Sequence, residues 1–456
     1  MKLNSFLTKA VSPNSLGLFR LIFGAFMIFE VLYYFNIQLI EIGFINPKIL
    51  FPYDFFEFLK PLPQPIMQLI LGLMLVAAIL ITIGWKHRIA GTFFFFANTY
   101  LLFLDKGIYN NHIYLFSLIA LLLAFTNADR AFSIKSRNRS KGLPQLTIPN
   151  WQVWLIRFQI VVVYFYGGIA KLNPDWLFRQ EPMRSMVKAL TGSESEVFVM
   201  LLNYGGLFFD LLVGFALLFK KTRWIAIIAL LFFHITNAII FDDIGIFPYI
   251  MIFATVVFFE GETIEKLFNR KKEVALTKKE LKKKQKAKSA VNVAPKDNFN
   301  LNKKTQKWVA YFLAVYILFQ LIFPFRHLVL PNKVDWTSIA QNFSWRMKMT
   351  SRKAETFKFV IADWEAPARY DVKPNTYMNT MQLQKMIYDP RMSAQFARFI
   401  AEEAKKQKNI ANPDIRVDIQ VIYNGRGPYQ LFDQDQNLAE VEYSPFKKNF
   451  WILEDD

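Results

Sequence analysis

The sequence predicts an all-α polytopic membrane domain of about nine transmembrane helices, followed by a small extracytoplasmic α+β domain. Three observations lead there. Apolar runs of about 20 residues, the length a helix needs to cross a bilayer, recur through residues 1–329. The composition agrees, with 53% hydrophobic residues and 48 phenylalanines among 456 positions. From residue 330 to 456 the apolar runs stop and strand-like alternation begins.

The expected spans lie near 16–35, 66–85, 89–104, 113–126, 152–170, 196–219, 224–241, 244–260 and 308–325. The first holds Arg20 and Glu30 and is followed by no small-residue cleavage site, so it reads as a retained helix. With the N-terminus in the cytoplasm, the inner loops contain Lys86 and Arg88, then Arg130, Lys135, Arg137, Arg139 and Lys141, then Lys220, Lys221 and Arg223. The basic loop 261–307 is the fourth; between Arg270 and Lys307 it carries 14 Lys/Arg against Glu273, Glu280 and Asp297. Outer loops hold far fewer basic residues, so the positive-inside rule orients the chain without conflict. Nine spans then put the C-terminal domain in the periplasm of a protein integral to the inner (cytoplasmic) membrane. The basic loop reads as a solvated segment with an affinity for anionic lipid heads. No stacking platform accompanies it, so nucleic acid is not an expected partner.

In the C-terminal domain, TFKFVIAD (356–363) and RVDIQVIY (416–423) read as strands, the second with Val417, Ile419, Val421 and Tyr423 on one face. Asn424-Gly425 predicts a hairpin turn into YQLFDQ. Asp389-Pro390 reads as an N-cap and first helical position, opening a helix whose apolar stripe is Phe396, Phe399 and Ile400.

Several chemistries are disfavoured. Cysteine is absent, which removes disulfides, thiol catalysis and Cys-type zinc sites. Four dispersed histidines without HxxH or HExxH spacing argue against a catalytic metal. No phosphate-binding glycine loop, GxSxG or dinucleotide fingerprint is present.

The topology gathers polar residues at the outer face. Asn110, Asn111 and His112 open the fourth span, Lys171 closes the fifth, and His234, Thr236, Asn237, Asp242 and Asp243 lie toward the outer end of the seventh. His327 follows the last. Ionisable residues within a membrane are functional candidates. Two readings of Lys171 are open on the residues alone. Asn173-Pro174 places it in the last helical turn, where the dipole favours the charged form and snorkelling is easy. Alternatively, desolvation holds it neutral as a base. Gly167-Gly168, one turn earlier, would admit another helix or a flat ring. His112 reads either as a helix-start residue or as part of a site, and His234 as a bundle hydrogen bond or part of a site. Trp345, Arg352 and Arg391 lie in the outer domain, the two arginines reading at least as readily as salt-bridge partners as parts of a site.

Long motifs in order carry a resemblance: SLGLFRLIFG (15–24), LLFLDKGIYNNHIYL (101–115), FTNADRAFSI (125–134), YFYGGIAKLNPDW (164–176), GGLFFDLLVGFALLF (205–219), FFHITNAIIFDDIGIFPY (232–249), WTSIAQNFSWRMKM (336–349) and YSPF (443–446). The chain resembles the vitamin K-dependent γ-glutamyl carboxylase family, in a bacterial-type form with an HTTM-type membrane domain. The resemblance implies a lyase that is also a quinol epoxidase. Reduced vitamin K, a menaquinol-type hydroquinone, would be oxygenated by O2 to the epoxide, a γ-proton of peptide glutamate removed, and CO2 added, without a metal. It makes Lys171 the base and His112 its assistant, with a glutamate-containing peptide, a lipid quinol and the membrane as partners. The chain departs from animal members at Asn173, where they have aspartate, and at Gln341, where they have tyrosine. Two rival expectations are a quinol-dependent monooxygenase without carboxylation and a non-catalytic membrane immunity protein.

Overall fold

The computed structural model describes residues 3–137, 146–192, 195–240, 244–273, 303–363 and 368–454. Most of the basic loop, Arg139, Lys141, Asp242 and Asp243 therefore lie outside the described residues. The bundle helices are α1 (Asn14–Asn36), α2 (Gln64–Ile83), α3 (His87–Leu104), α4 (Asn111–Ala124), α5 (Asn150–Ala170), α6 (Glu196–Leu218), α7 (Arg223–Ile240), α8 (Phe247–Ala254) and α9 (Lys303–Ile322). The C-terminal part adds α10 (Thr380–Met386), α11 (Pro390–Lys408) and strands β1 (Arg352–Asp363), β2 (Arg369–Val372), β3 (Pro413–Tyr423) and β4 (Arg426–Gln430).

Among the described residues six helices are long and apolar enough to cross a membrane, and eight spans result if each of two bent helix pairs counts as one. The bends, of 68° after α4 and 104° after Phe258, fall in the fourth and eighth expected spans. The remaining expected span is α3, which contains Arg88 and the buried Asn98 and packs as a full-length helix between α2 and α4. Asn98 is satisfied there, donating to Ser117 Oγ at 2.8 Å and to Ile113 O at 3.1 Å.

Arg20 shows how a charge is tolerated inside the bundle. Its guanidinium donates to the carbonyls of Ile81 and Thr82 at the end of α2, and to those of Ala128, Ala131 and Phe132 beyond α4. It supplies donors to helix-end carbonyls that have no intrahelical partner. Its role is structural.

The sheet is antiparallel throughout, in the order β2-β1-β3-β4. Alternation along β3 buries Val417, Ile419, Val421 and Tyr423, and Phe359 of β1 faces Val417 in register. Phe396 and Ile400 of α11 are buried in the same core, with Phe359 edge-on to Phe396 at 5.1 Å. Asp389 caps α11 by accepting from Arg391 N, with Pro390 at the first position. The Asn424-Gly425 turn has both φ angles positive, the geometry of a tight two-residue hairpin.

Two contacts seat this sheet on the bundle. Gln382 of α10 donates to Asp105 Oδ2 at 2.7 Å, just past the end of α3. Asn424 and Arg426 reach Asp175 at 2.8 and 3.1 Å, four residues beyond Lys171. Between α9 and β1, the stretch around Trp345 packs into the bundle core, where Trp345 stacks on Tyr114 at 4.9 Å.

Candidate functional site

Where the sheet meets the helices, a cavity of about 830 Å³ lies between α4, α5, α6, α7 and the segment that precedes β1. Its position follows from how α5 ends. Asn173-Pro174 stops the helix, and Lys171 is its C-terminal cap residue. Asn173 consolidates the stop: its Oδ1 accepts from Trp176 N at 3.0 Å and its Nδ2 donates to Ala170 O at 2.9 Å. Trp176 is held in turn by Asn203 of α6 through two hydrogen bonds, of 3.0 and 2.8 Å.

Gly168 sets the distance between α5 and α6. A Cβ there would sit 2.7 Å from the Leu211 backbone nitrogen, so only glycine permits this approach. The approach brings Lys171 Nζ to 2.6 Å from Asp210 Oδ2. Nζ also donates to Gly167 O at 3.2 Å and lies 5.0 Å from the centre of the Trp176 ring. Lys171 is 6% and Asp210 5% exposed, so the pair is buried. Lys171 is thus buried inside the bundle against a carboxylate partner, which neither sequence reading of it included.

Two turns before Lys171 on the same helix, Tyr164 Oη lies 2.7 Å from His234 Nε2 of α7. His234 Nδ1 is buried and without a hydrogen-bond partner among the described residues. With Tyr164 as donor to Nε2, the proton sits on Nδ1, which becomes a donor available to a ligand. Phe247 of α8 lies between the two histidines, 6.1 Å from the rings of both His112 and His234. His112 has its backbone N–H capped by Asn110. Asn111 donates to Arg346 O at 3.4 Å and accepts from Tyr109 Oη at 3.0 Å, tying the start of α4 to the segment before β1.

The fold thus collects Lys171, His112, Asn111, His234, Thr236, Asn237 and Arg352 around one cavity. Other expected residues stand apart from it. Gly167 and Gly168 face α6. Trp345 is buried behind the wall against Tyr114. Arg391 is engaged with Asp389 at 2.6 Å and Asp54 at 3.2 Å. Those carboxylates hold its guanidinium well above the ordinary value although burial opposes it. Arg352 lines the cavity, but its guanidinium also donates to the carbonyls of Asp335, Trp336, Ile387 and Tyr388. His327 Nδ1 lies 2.9 Å from Pro324 O.

Asp210 is the residue the sequence reading passed over, although its stretch, GGLFFDLLVGFALLF, was in view. A lone carboxylate in the middle of an apolar span was the available signal.

Two family matches cover most of the chain. Residues 8–262 match the HTTM domain, and residues 305–456 match the lumenal domain of vitamin K-dependent gamma-carboxylase. No solved structure matches the chain.

Proposed function

The chain belongs to the vitamin K-dependent gamma-carboxylase family, with its HTTM and lumenal domains in order, and from that premise we propose an integral-membrane γ-glutamyl carboxylase coupled to quinol epoxidation. The observation that carries this reading is the buried Lys171–Asp210 pair in a cavity open to both phases. Leu201 of α6 and Phe232 of α7 line the cavity and are 66% and 72% exposed, so one side faces the lipid through which a quinol would arrive. The segment before β1 and the residues flanking α11 line the other side, where a peptide would arrive.

The residues fit a reduced vitamin K. Phe209, Phe233 and Phe247 offer walls for a flat apolar ring. The Lys171–Asp210 pair and His234 Nδ1 offer polar contacts for its oxygens. When bound, the quinol would supply, with O2, the base that takes a γ-proton from glutamate, after which CO2 adds.

The chain itself moves the first proton. With a hydroquinone bound, Lys171 Nζ would give a proton to Asp210 along the 2.6 Å contact and take one from the ring hydroxyl in its place. The proton would end on Asp210, and the negative charge would pass from that carboxylate to the ring oxygen. No charge has to be created in the dry site, which removes the main barrier to using a buried base. His112 and Asn111, positioned at the start of α4 and lining the same cavity, would help to orient the ring.

In this reading α3 also crosses the membrane, the N-terminus is cytoplasmic and the C-terminal domain extracytoplasmic, as its lumenal-domain match fits. The test is epoxide formation and labelled CO2 incorporation into a glutamyl peptide by purified protein, comparing wild type with Lys171→Ala. Loss of both products in the variant supports the reading. Epoxide without incorporation in the wild type would leave a monooxygenase, and no epoxide from either protein would sink the catalytic reading.

A further inference from the structure

The same cavity is lined by a second buried lysine that the proton transfer leaves unused. Lys106 follows α3 in a pinned turn: its N–H donates to Phe51 O at 2.8 Å. The side chain is only 2% exposed, and Nζ makes no hydrogen bond among the described residues. Acids are close, but each is committed. Asp105 accepts from Gly107 N at 2.5 Å, from Phe51 N at 2.9 Å and from Gln382 Nε2 at 2.7 Å. Asp389 accepts from the Arg391 guanidinium at 2.8 and 2.6 Å, and Asp54 accepts from it at 3.2 Å. Lys106 is therefore a buried ammonium whose donors are unfilled and whose acidic neighbours are spoken for. A buried cation without an acceptor is costly unless a ligand supplies one.

We propose that Lys106 is the subsite for the side-chain carboxylate of the peptide glutamate. The assignment rests on the carboxylase reading and names where that reaction's anion is held. One cation within a ring of acids suits a monoanion and repels polyanions such as phosphates. The turn carrying Lys106 is bonded to α10 through Asp105, and Asp389 at the head of α11 also lines the cavity, so this end lies against the C-terminal domain, where a peptide arrives. The groups facing Lys106 are Asp54, Asp105, Asp389 and Arg391. Burial, then Arg391, lowers its amine to about 8, so its charge, and with it the hold on a carboxylate, declines as pH rises through that value.

The test is direct binding to the full chain in nanodiscs, without quinol. The probes are two fluorescent peptides, acetylated and amidated, identical except for one glutamate or glutamine. At neutral pH the wild type should prefer glutamate about 10-fold or more; Lys106→Met should erase the preference while leaving the glutamine peptide unaffected, and Lys106→Arg should keep it. The wild-type preference should also fall above pH ~8, and in Lys106→Arg that fall should disappear. A preference retained in Lys106→Met overturns the subsite and leaves the carboxylase reading standing. A wild-type preference unchanged up to pH ~9.5 overturns it without relying on any variant. No wild-type preference at all removes the subsite and the carboxylase reading together.

Discussion

Two buried lysines line one cavity, and they differ in how their charge is matched. Lys171 has a carboxylate at 2.6 Å that belongs to the protein. Lys106 has three carboxylates nearby and none to bond. Both are buried, so burial does not separate them. What separates them is who provides the counter-charge. A buried cation matched from within is a stable element that can pass a proton along its contact. A buried cation left unmatched is a receptor, since an anion from outside completes it.

The largest test of this contrast is to break the matched pair. Lys171→Met or Asp210→Leu alone leaves an uncompensated buried charge, with an expected loss of ~3–5 kcal/mol in stability. The double variant should regain most of that loss, because an apolar pair of similar volume fills the site. Thermal unfolding in detergent across the cycle measures the coupling, and epoxide formation should be absent in all three variants. Additive losses would mean that the two side chains do not act as a pair.

Lys106 should behave in the opposite way. Its amine is lowered in the folded state, to about 8 from 10.5, so the unfolded chain binds the extra proton between those values. Stability of the ligand-free protein should therefore rise as pH increases from about 8 to 10.5, by on the order of 3 kcal/mol. Lys106→Met should flatten that rise and unfold at or above the wild-type temperature near neutral pH. A lower midpoint would show that Asp54, Asp105 and Asp389 depend on the lysine more than it depends on a ligand.

Gly168→Ala tests how the matched pair is assembled. The added Cβ would meet the Leu211 backbone at 2.7 Å, so α5 and α6 must part. Overpacking of this kind costs ~1–3 kcal/mol. Epoxide formation should fall further than stability alone explains, because a contact as short as the one between Lys171 and Asp210 tolerates little separation. Loss of stability with full activity would show that the pair survives without the close approach.

Much of this was legible in the sequence, for identifiable reasons. Apolar runs located the helices, and period-two alternation placed Val417, Ile419, Val421 and Tyr423 inward. Asp389-Pro390 announced the start of α11, because capping is local chemistry. Span ends on one face brought Lys171, His112, Asn111 and His234 to one cavity, and Arg352 joins them from the C-terminal domain. The two helix bends were not legible, since neither is set by the composition of its span. Asp210 carried a signal, a carboxylate among apolar residues, but its pairing with Lys171 depends on the register of α6 at Gly168. Lys106 was out of reach for a stronger reason: its proposed role depends on three acids being engaged elsewhere, and Phe51 N and Gln382 on Asp105, like Arg391 on Asp54, are distant in sequence. Trp345 reads as a candidate in isolation, and only its stacking on Tyr114 places it in the bundle core behind the cavity wall.

The finest test sits two residues past Lys171. Asn173 caps Trp176 N with its oxygen and bonds Ala170 O with its amide, so Asn173→Asp keeps the first contact and loses the second. Aspartate caps as well as asparagine, so the expected change is the loss of one partly exposed hydrogen bond, ~0.5–1 kcal/mol. The substitution also brings a second carboxylate into the sequence neighbourhood of Lys171. If Asp210 already satisfies the lysine, the pH dependence of epoxide formation should be unchanged, because the proton's destination is unchanged. A shifted profile would mean that Lys171 exchanges one carboxylate for another, and the distinction between a matched and an open lysine would then be one of degree.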